Sequence, residues 1–582
     1  MGSSDRFPYE TSTVLDQDFL DDCQDTLTNR LELGVDIERP DSGFIRASDR
    51  NKYIGSTFYE ALLNIPIITR TVGDWLSNVL EFGVQQLRIS NVDGRFNNIL
   101  PGGADFDGWV GKSITIRMGL RDVESTYTDL FQGKVTPIGG FGRDVQAVIF
   151  QARDQFDDVN KTLPQTVFKD STFTDISDNL VGTPIPLIWG DWTTNLVNSA
   201  DVKSFVVNTE DDDMNGESSR TNNVDVVISQ NANKTFDTSN VYLRREVKFP
   251  DGSVADYHLM DSADIVNVAG DNNRFEVDQD TGNTQITNSD GANINYVYES
   301  GDSFVVRVVG VDLGAYDGNA VEIAKDILKT YGGLVDADFD ANWATYRDKA
   351  APAQSAIANI PCREWRQEEI SAIELALSIL EQVRLESFVS RDLKFKLFSL
   401  HFEDFVANPS FRMTNFDLQK DSFRPNIDVR NNFNRAAASY NRNPESGENE
   451  KETDIFRNVA AVSQVGRAIS KRVVYPNLPV RTDVENQLTE VIRIASGTLE
   501  IITYVATWRS LLLDIGDFVK VNVQIGSSIY EDVPCVIRSI GVDPQGLKIP
   551  IKVWSLQMLP FPGYEPGYAG TVGGYNAIIL RE

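Results

Sequence analysis

Apolar and polar residues alternate with period two along much of this chain, the spacing of strands that bury one face. The stretches 84–90 (VQQLRIS), 113–118 (SITIRM), 145–150 (VQAVIF), 304–309 (FVVRVV), 393–397 (LKFKL), 518–523 (FVKVNV) and 549–554 (IPIKVW) all show it. Turn-forming pairs punctuate the pattern: Asp93-Gly94, Gly139-Gly140, Asp251-Gly252, Asp290-Gly291 and Pro544-Gln545-Gly546. Two stretches switch to helical spacing. Asn319 is placed to cap AVEIAKDILKTY, with Glu322 three residues on, and Gly332-Gly333 end the run. Val321, Ala324, Ile327 and Leu328 share one face of that helix. A second helix is predicted from about 367 to 388, where Ile370, Ile373, Leu377, Leu380 and Val383 recur every three or four positions. The expected fold class is mainly β with a small α+β insert.

The pattern repeats faintly. Gly111 precedes SITIRM, then FQGKV and a glycine-rich turn lead into DVQAVIFQARD. Gly516 precedes DFVKVNV, then VPCVIRSI and a Pro-Gln-Gly turn lead into LKIPIKVWSLQ. Two copies of one small barrel would give this order.

Charge changes the picture. The 582 residues carry 54 Lys and Arg against 85 Asp and Glu, a net charge of −31. Sequence-independent duplex binding needs clustered positive charge and is not expected, and adhesion to anionic lipid is disfavoured for the same reason. The segment 201–300 concentrates the imbalance with 19 acidic and seven basic residues. Strand patterns such as VDVVISQ persist inside it, so it reads as an inserted β domain on polar loops. With 41% apolar residues the chain has ample material for a core. No apolar run approaches the ~18 residues of a membrane helix, and the first residues lack the basic and apolar regions of a signal peptide. Cys23, Cys362 and Cys535 are too far apart in sequence to suggest a disulfide framework and read as structural thiols of a soluble protein in a reducing compartment.

Catalytic motifs are not found. There is no GxSxG, no phosphate-cradling GxxxxGK[ST], and only two histidines, so no enzyme activity or resident cofactor is expected. Asp211, Asp213 and Asn215, followed by Gly216, match the opening of a calcium loop, although Asn222 stands where a bidentate Glu belongs. Calcium is thus a candidate ligand, against a solvated acidic loop. Asp336, Asp338 and Asp340 make a weaker candidate with no glycine. Trp189, Asp191 and Trp192, in IPLIWGDW, could form a glycan platform, since indoles stack on sugar rings and carboxylates accept hydroxyl protons. The competing reading is a strand whose aromatics seal a domain edge.

The stretch LRISNVDGRFNNILPGGADFDGWVGKSITIRMG resembles the opening barrel of hub-type tail proteins of long-tailed bacteriophages. Its turn residues are Asn91, Asp93, Gly94, Arg95 and Phe96, and a strand from Gly111 to Ile116 follows. LFQGKVTPIGG and GFIRASDRNKYIGSTFYEALL are similar to neighbouring strands of that family. Further on, the predicted helix is followed by Arg391, Asp392, Lys394 and Phe395, similar to the family's hairpin but with Phe395 in place of the usual leucine. DSFRPNIDVRNNFNRAAASY and LLLDIGDFVKVNV resemble the strands that enter and close a second barrel. These matches cover about 50–160, 315–440 and 490–560.

The resemblance implies two tube-type β-barrel domains per chain and a homotrimer whose six barrels continue a sixfold tail tube to a threefold tip. It implies tail tube or distal tail proteins, spike or fibre proteins and the tape measure protein as partners. The location would be the virion, at the tail tip or baseplate, after assembly in the host cytoplasm, with neither sequence-specific nucleic-acid binding nor membrane anchoring. The matching organisation is an arm (1–45), a first barrel (46–165), a connector (166–200), the acidic β domain (201–312), an α+β domain (313–400), a second barrel (401–570) and a tail (571–582). Acidic residues facing a lumen would let DNA slide without sticking. Two alternatives stand beside this: a carbohydrate-binding tail adhesin or glycan depolymerase, and the spike hub of a contractile secretion system.

Overall fold

The computed structural model describes residues 31–581 apart from 97–106, 137–146, 194–201, 209–223, 349–359, 400–410, 556–578 and shorter stretches between strands. The architecture is mainly β, as the period-two pattern predicts. Eight strands form the first sheet, in the order Phe44–Ser48, Leu31–Glu38, Ser113–Leu120, Thr128–Val135, Ala147–Asp154, Val84–Ser90, Thr57–Asn64, Lys52–Ile54. Parallel pairing of Ala47 with Glu60 and Ser48 with Ala61 joins the first strand of this order to the seventh, so the sheet closes into a barrel. Alternation fills the interior: Val35, Ile37, Leu87, Ile89, Ile114, Ile116, Val148 and Phe150 are fully buried.

The second sheet runs Phe411–Thr414, Phe518–Ile525, Ser528–Val542, Ile549–Ser555, Leu499–Ala506, Arg424–Asp428. Among the described residues no strand pair closes it. A hairpin from far upstream, Ile68–Val72 with Leu80–Glu81, joins it instead by pairing Thr71 with Ser539 and Ile68 with Val542.

The two repeats expected from the sequence share more than strand order. Gly111 and Gly516 both sit at positive φ, +82° and +81°, where a side chain is strained. The Gly111 amide donates to the Val135 carbonyl while the Val135 amide donates to Lys112; Gly516, Ile537 and Asp517 make the same pair of bonds. Five residues beyond each glycine, after Ile116 and after Val521, the ladder slips to place an extra residue on the second strand. The inward residues correspond too: Val148, Phe150 and Ala152 in one, Ile549, Ile551 and Val553 in the other, all buried.

Nine strands between 202 and 311 form a separate sheet, ordered Ile265–Asn267, Arg274–Val277, Val224–Val227, Val202–Asn208, Ser303–Val311, Asn233–Lys248, Val254–Met260, Gln285–Thr287, Asn293–Asn295. It has a core of its own around Phe205, Val226, Phe275 and Phe304, whereas the two repeated sheets and the helices share one continuous core. The first predicted helix is Ala320–Thr330, and the Asn319 side chain accepts from the amides of Val321 and Glu322, as its cap position requires. The second is shorter than predicted: Ala372–Gln382, capped by Ser371 accepting from the Glu374 amide. Its predicted first turn is taken by a strand pairing, Ile370–Ser371 against Thr162–Leu163. Its predicted end is cut by Arg384 at φ +56°, after which Leu385–Val389 and Phe395–Ser399 form a hairpin.

Candidate assembly site

Two ties from distant parts of the chain join the two repeated sheets. The Ile68–Val72 hairpin leaves the first sheet and completes an edge of the second, where the Thr71 and Ser539 hydroxyls lie 2.9 Å apart. Below it Arg70 approaches Asp514 at 3.5 Å. A second tie comes from Leu385–Val389. Its Glu386 accepts from Arg538 of the second sheet, both almost fully buried, and the guanidinium lies 4.0 Å from the centre of the Trp554 ring. A buried charge is tolerated when it is paired, and the aromatic face supplies further attraction.

Beside this junction lies a groove of about 350 Å³ between helix Ala372–Gln382 and strand Ser470–Tyr475. Ile370, Leu385, Val473, Val491 and Ile494 give it an apolar lining, and Glu374 and Glu381 stand exposed on its helical rim. At its base Arg384 donates to Gln487; burial pulls its pKa down to about 10, against the opposing pull of Glu490. The buried Tyr475 hydroxyl has no hydrogen-bond partner among the described residues, and burial holds its pKa above the usual range. Strand Ser470–Tyr475 pairs on one side, in parallel with Arg435–Arg442, and among the described residues its other edge is open. Phe416 is 87% exposed on a turn that is held firmly: the Asp417 carboxylate accepts from the Thr414 amide and hydroxyl, and Asn415 bonds both backbone groups of Gln524.

The sequence-predicted site residues fall elsewhere. Asp211, Asp213 and Asn215 lie outside the described residues. Trp189 and Trp192 are 0% and 2% exposed, so no indole face is open to a sugar ring. Trp189 donates to Asp326, Trp192 donates to the Trp189 carbonyl, and Arg363 covers the Trp192 ring at 4.3 Å from its centre. Strand Leu187–Trp189 runs between the two cores, with Leu187 and Trp189 in one and Ile188 in the other, which explains a run apolar on both faces. Asp191 accepts from the amide and hydroxyl of Thr193. Asp336, Asp338 and Asp340 are spent locally, on Lys325 and Lys329, on the Val335 amide and on the Asn342 amide. Among the described residues no group of three or more His, Cys, Asp or Glu side chains is arranged to hold a metal. Cys362 and Cys535 are buried free thiols whose pKa values burial raises, in keeping with structural roles; Cys23 lies outside the described residues. Sequence reasoning missed the hairpin tie and the Glu386–Arg538 pair, because neither has a local signature.

No protein-family model and no curated protein matches the sequence. Among solved structures, the chain is similar to the 43 kDa tail protein of prophage MuSo2 from Shewanella oneidensis, at 11% identity over 90% of this chain and 97% of that one, with a TM-score of 0.37. It is similar to a tail protein from Neisseria meningitidis MC58, at 7% identity over 90% and 96%, with a TM-score of 0.38. A chain of a native gene transfer agent virion particle matches at 10% identity over 67% and 88%, with a TM-score of 0.33.

Proposed function

We propose that this chain is a structural protein of a long-tailed phage virion: a trimeric hub at the distal end of the tail, where sixfold tube symmetry gives way to a threefold tip. The observation that carries this reading is the repeated sheet, with four central strands in the same order, the same glycine brace and the same bulge in both copies. Two related units in one chain are what a threefold ring needs to meet a sixfold one, since three chains present six similar faces. The sequence resemblance to hub-type tail proteins points the same way. In this reading the hub anchors a spike or fibre, contacts tail tube and tape measure proteins and surrounds a path for DNA, and its work is mechanical.

The open groove, the strand edge left open among the described residues and the exposed Phe416 supply surfaces for neighbours in such an assembly. The glycan-binding alternative draws no support from Trp189 and Trp192, which are core residues. The test is light scattering of the purified chain together with negative-stain class averages. Threefold rings of three chains are expected; a monomer that persists after co-expression with tail tube and spike partners overturns the proposal.

A further inference from the structure

The outward face of the second sheet carries a row of side chains that departs from the chain's overall charge. Cross-strand pairing sets five residues side by side: Thr71, Ser539, Lys552, Thr503 and Arg424. Paired residues share a face, and all five are partly or fully exposed. Three hydroxyls and two cations thus stand together, with no carboxylate, in a protein of net charge −31. The adjoining rows add none: Trp554, Ile501 and Asn426 on one side, Gly541, Pro550 and Val505 on the other.

The row borders a cleft of about 320 Å³ whose outward lining includes Thr69, Ser422, Thr503, Ser539, Pro550 and Lys552. Lys552 forms no ion pair with a carboxylate of the described residues, whereas Arg412 on the edge strand of the same sheet pairs with Asp532. Thr69 belongs to the hairpin that crosses from the first sheet, so the cleft exists only once the two regions are joined. In the first sheet the equivalent positions of Lys552 and Thr503 are Gln151 and Gln86, paired to each other. Those two are neutral amides, and the first sheet sets its paired cations, Lys134 and Arg153, one row further along the same face.

We propose that this cleft binds a phosphate oxyanion, with the Lys552 ammonium as the counter-charge and the Thr69 hydroxyl as a donor, joined by Ser539 when the Thr71 hydroxyl donates to it and by Thr503 when its hydroxyl turns from the Arg424 carbonyl, 3.4 Å away. Lysine and Ser or Thr hydroxyls are the groups that contact phosphate oxygens in general, as free phosphate or along a nucleic-acid strand. The cleft lies within one chain, so it stands or falls independently of the trimer.

The test is calorimetric titration of the full chain with inorganic phosphate against chloride at matched ionic strength, with a single-stranded oligonucleotide and with polyglutamate as parallel probes. Lys552→Gln and Thr503→Val are the variants, both on the outward face, with circular dichroism checking the fold. Phosphate binding that weakens about tenfold or more in Lys552→Gln, and less in Thr503→Val, supports the proposal with free phosphate as the ligand. Binding of the oligonucleotide alone, lost in Lys552→Gln and falling steeply with salt, supports it with a nucleic-acid phosphate as the source. No binding of either probe overturns it, as does binding unchanged in Lys552→Gln. Polyglutamate binding as tight as that of the phosphate probes also overturns it, since the cleft would then be a general acidic-partner surface.

Discussion

Gly111 and Gly516 hold the same backbone shape and meet different surroundings. A methyl group added at Gly111 would find nothing within 4 Å, whereas at Gly516 it would meet Phe398 at 3.2 Å and Phe388 at 3.3 Å. The common part of the two repeats is therefore a matter of backbone: a residue at positive φ, a two-bond brace, a bulge five residues on. What separates them is what packs outside. The first sheet is closed by its own strands, while the second is clasped by parts of the chain from elsewhere, the Ile68–Val72 hairpin and, packed against it, the hairpin of Leu385–Val389 with Phe395–Ser399. One plan thus serves as a self-sufficient barrel and as a sheet that, among the described residues, stays open and is clasped by neighbours.

Breaking the clasp has the largest expected effect. Arg538→Met leaves Glu386 charged and buried without its partner, and stability should fall by about 3–5 kcal/mol in urea denaturation. Replacing both partners with apolar residues should recover most of it, because no lone charge then remains. Gly516→Ala comes next, combining strain at positive φ with crowding against two aromatic rings, at about 2–3 kcal/mol. Gly111→Ala has only the strain and should cost about 1 kcal/mol by the same measurement. Equal losses at the two glycines would show that the rings around Gly516 yield freely and would weaken the contrast.

The strands of both repeats were legible from SITIRM and FVKVNV, because alternation marks a half-buried strand locally. The cap at Asn319 was legible for the same kind of reason, a short polar side chain ahead of an apolar stripe. The hairpin at Ile68–Val72 was not, since nothing in ITRTV announces a partner more than 460 residues away. Nor does the 3–4 spacing around Ile370 and Val383 reveal that one belongs to a strand and the other to the helix end. Trp189 and Trp192 suggested an exposed platform because sequence shows which rings are present and not what covers them.

A smaller effect sharpens the comparison at the surface. Glu368 is bonded to Arg442, which first among its neighbours holds its pKa below the usual 4.5, and this joins the Glu364–Arg366 region to strand Arg435–Arg442. A depressed folded value means the pair stabilises above the unfolded pKa and is lost as pH falls through the folded one. Glu368→Gln should therefore flatten stability below about pH 4.5 and change it by less than about 1 kcal/mol at neutral pH, since the carboxylate is largely exposed. Thermal melts of wild type and variant between pH 3 and 7 measure this.

The hydroxyls of Thr71 and Ser539 meet across 468 residues of chain. During synthesis at roughly 5–20 residues per second, the hairpin must wait on the order of 25–95 s for its partner strand to be made. For that interval its edge is open to any other nascent chain. A ribosome pausing late in the message, or a truncated product, would leave many copies with the same unmet edge, and a prudent expression scheme would favour slow growth and dilute nascent chains.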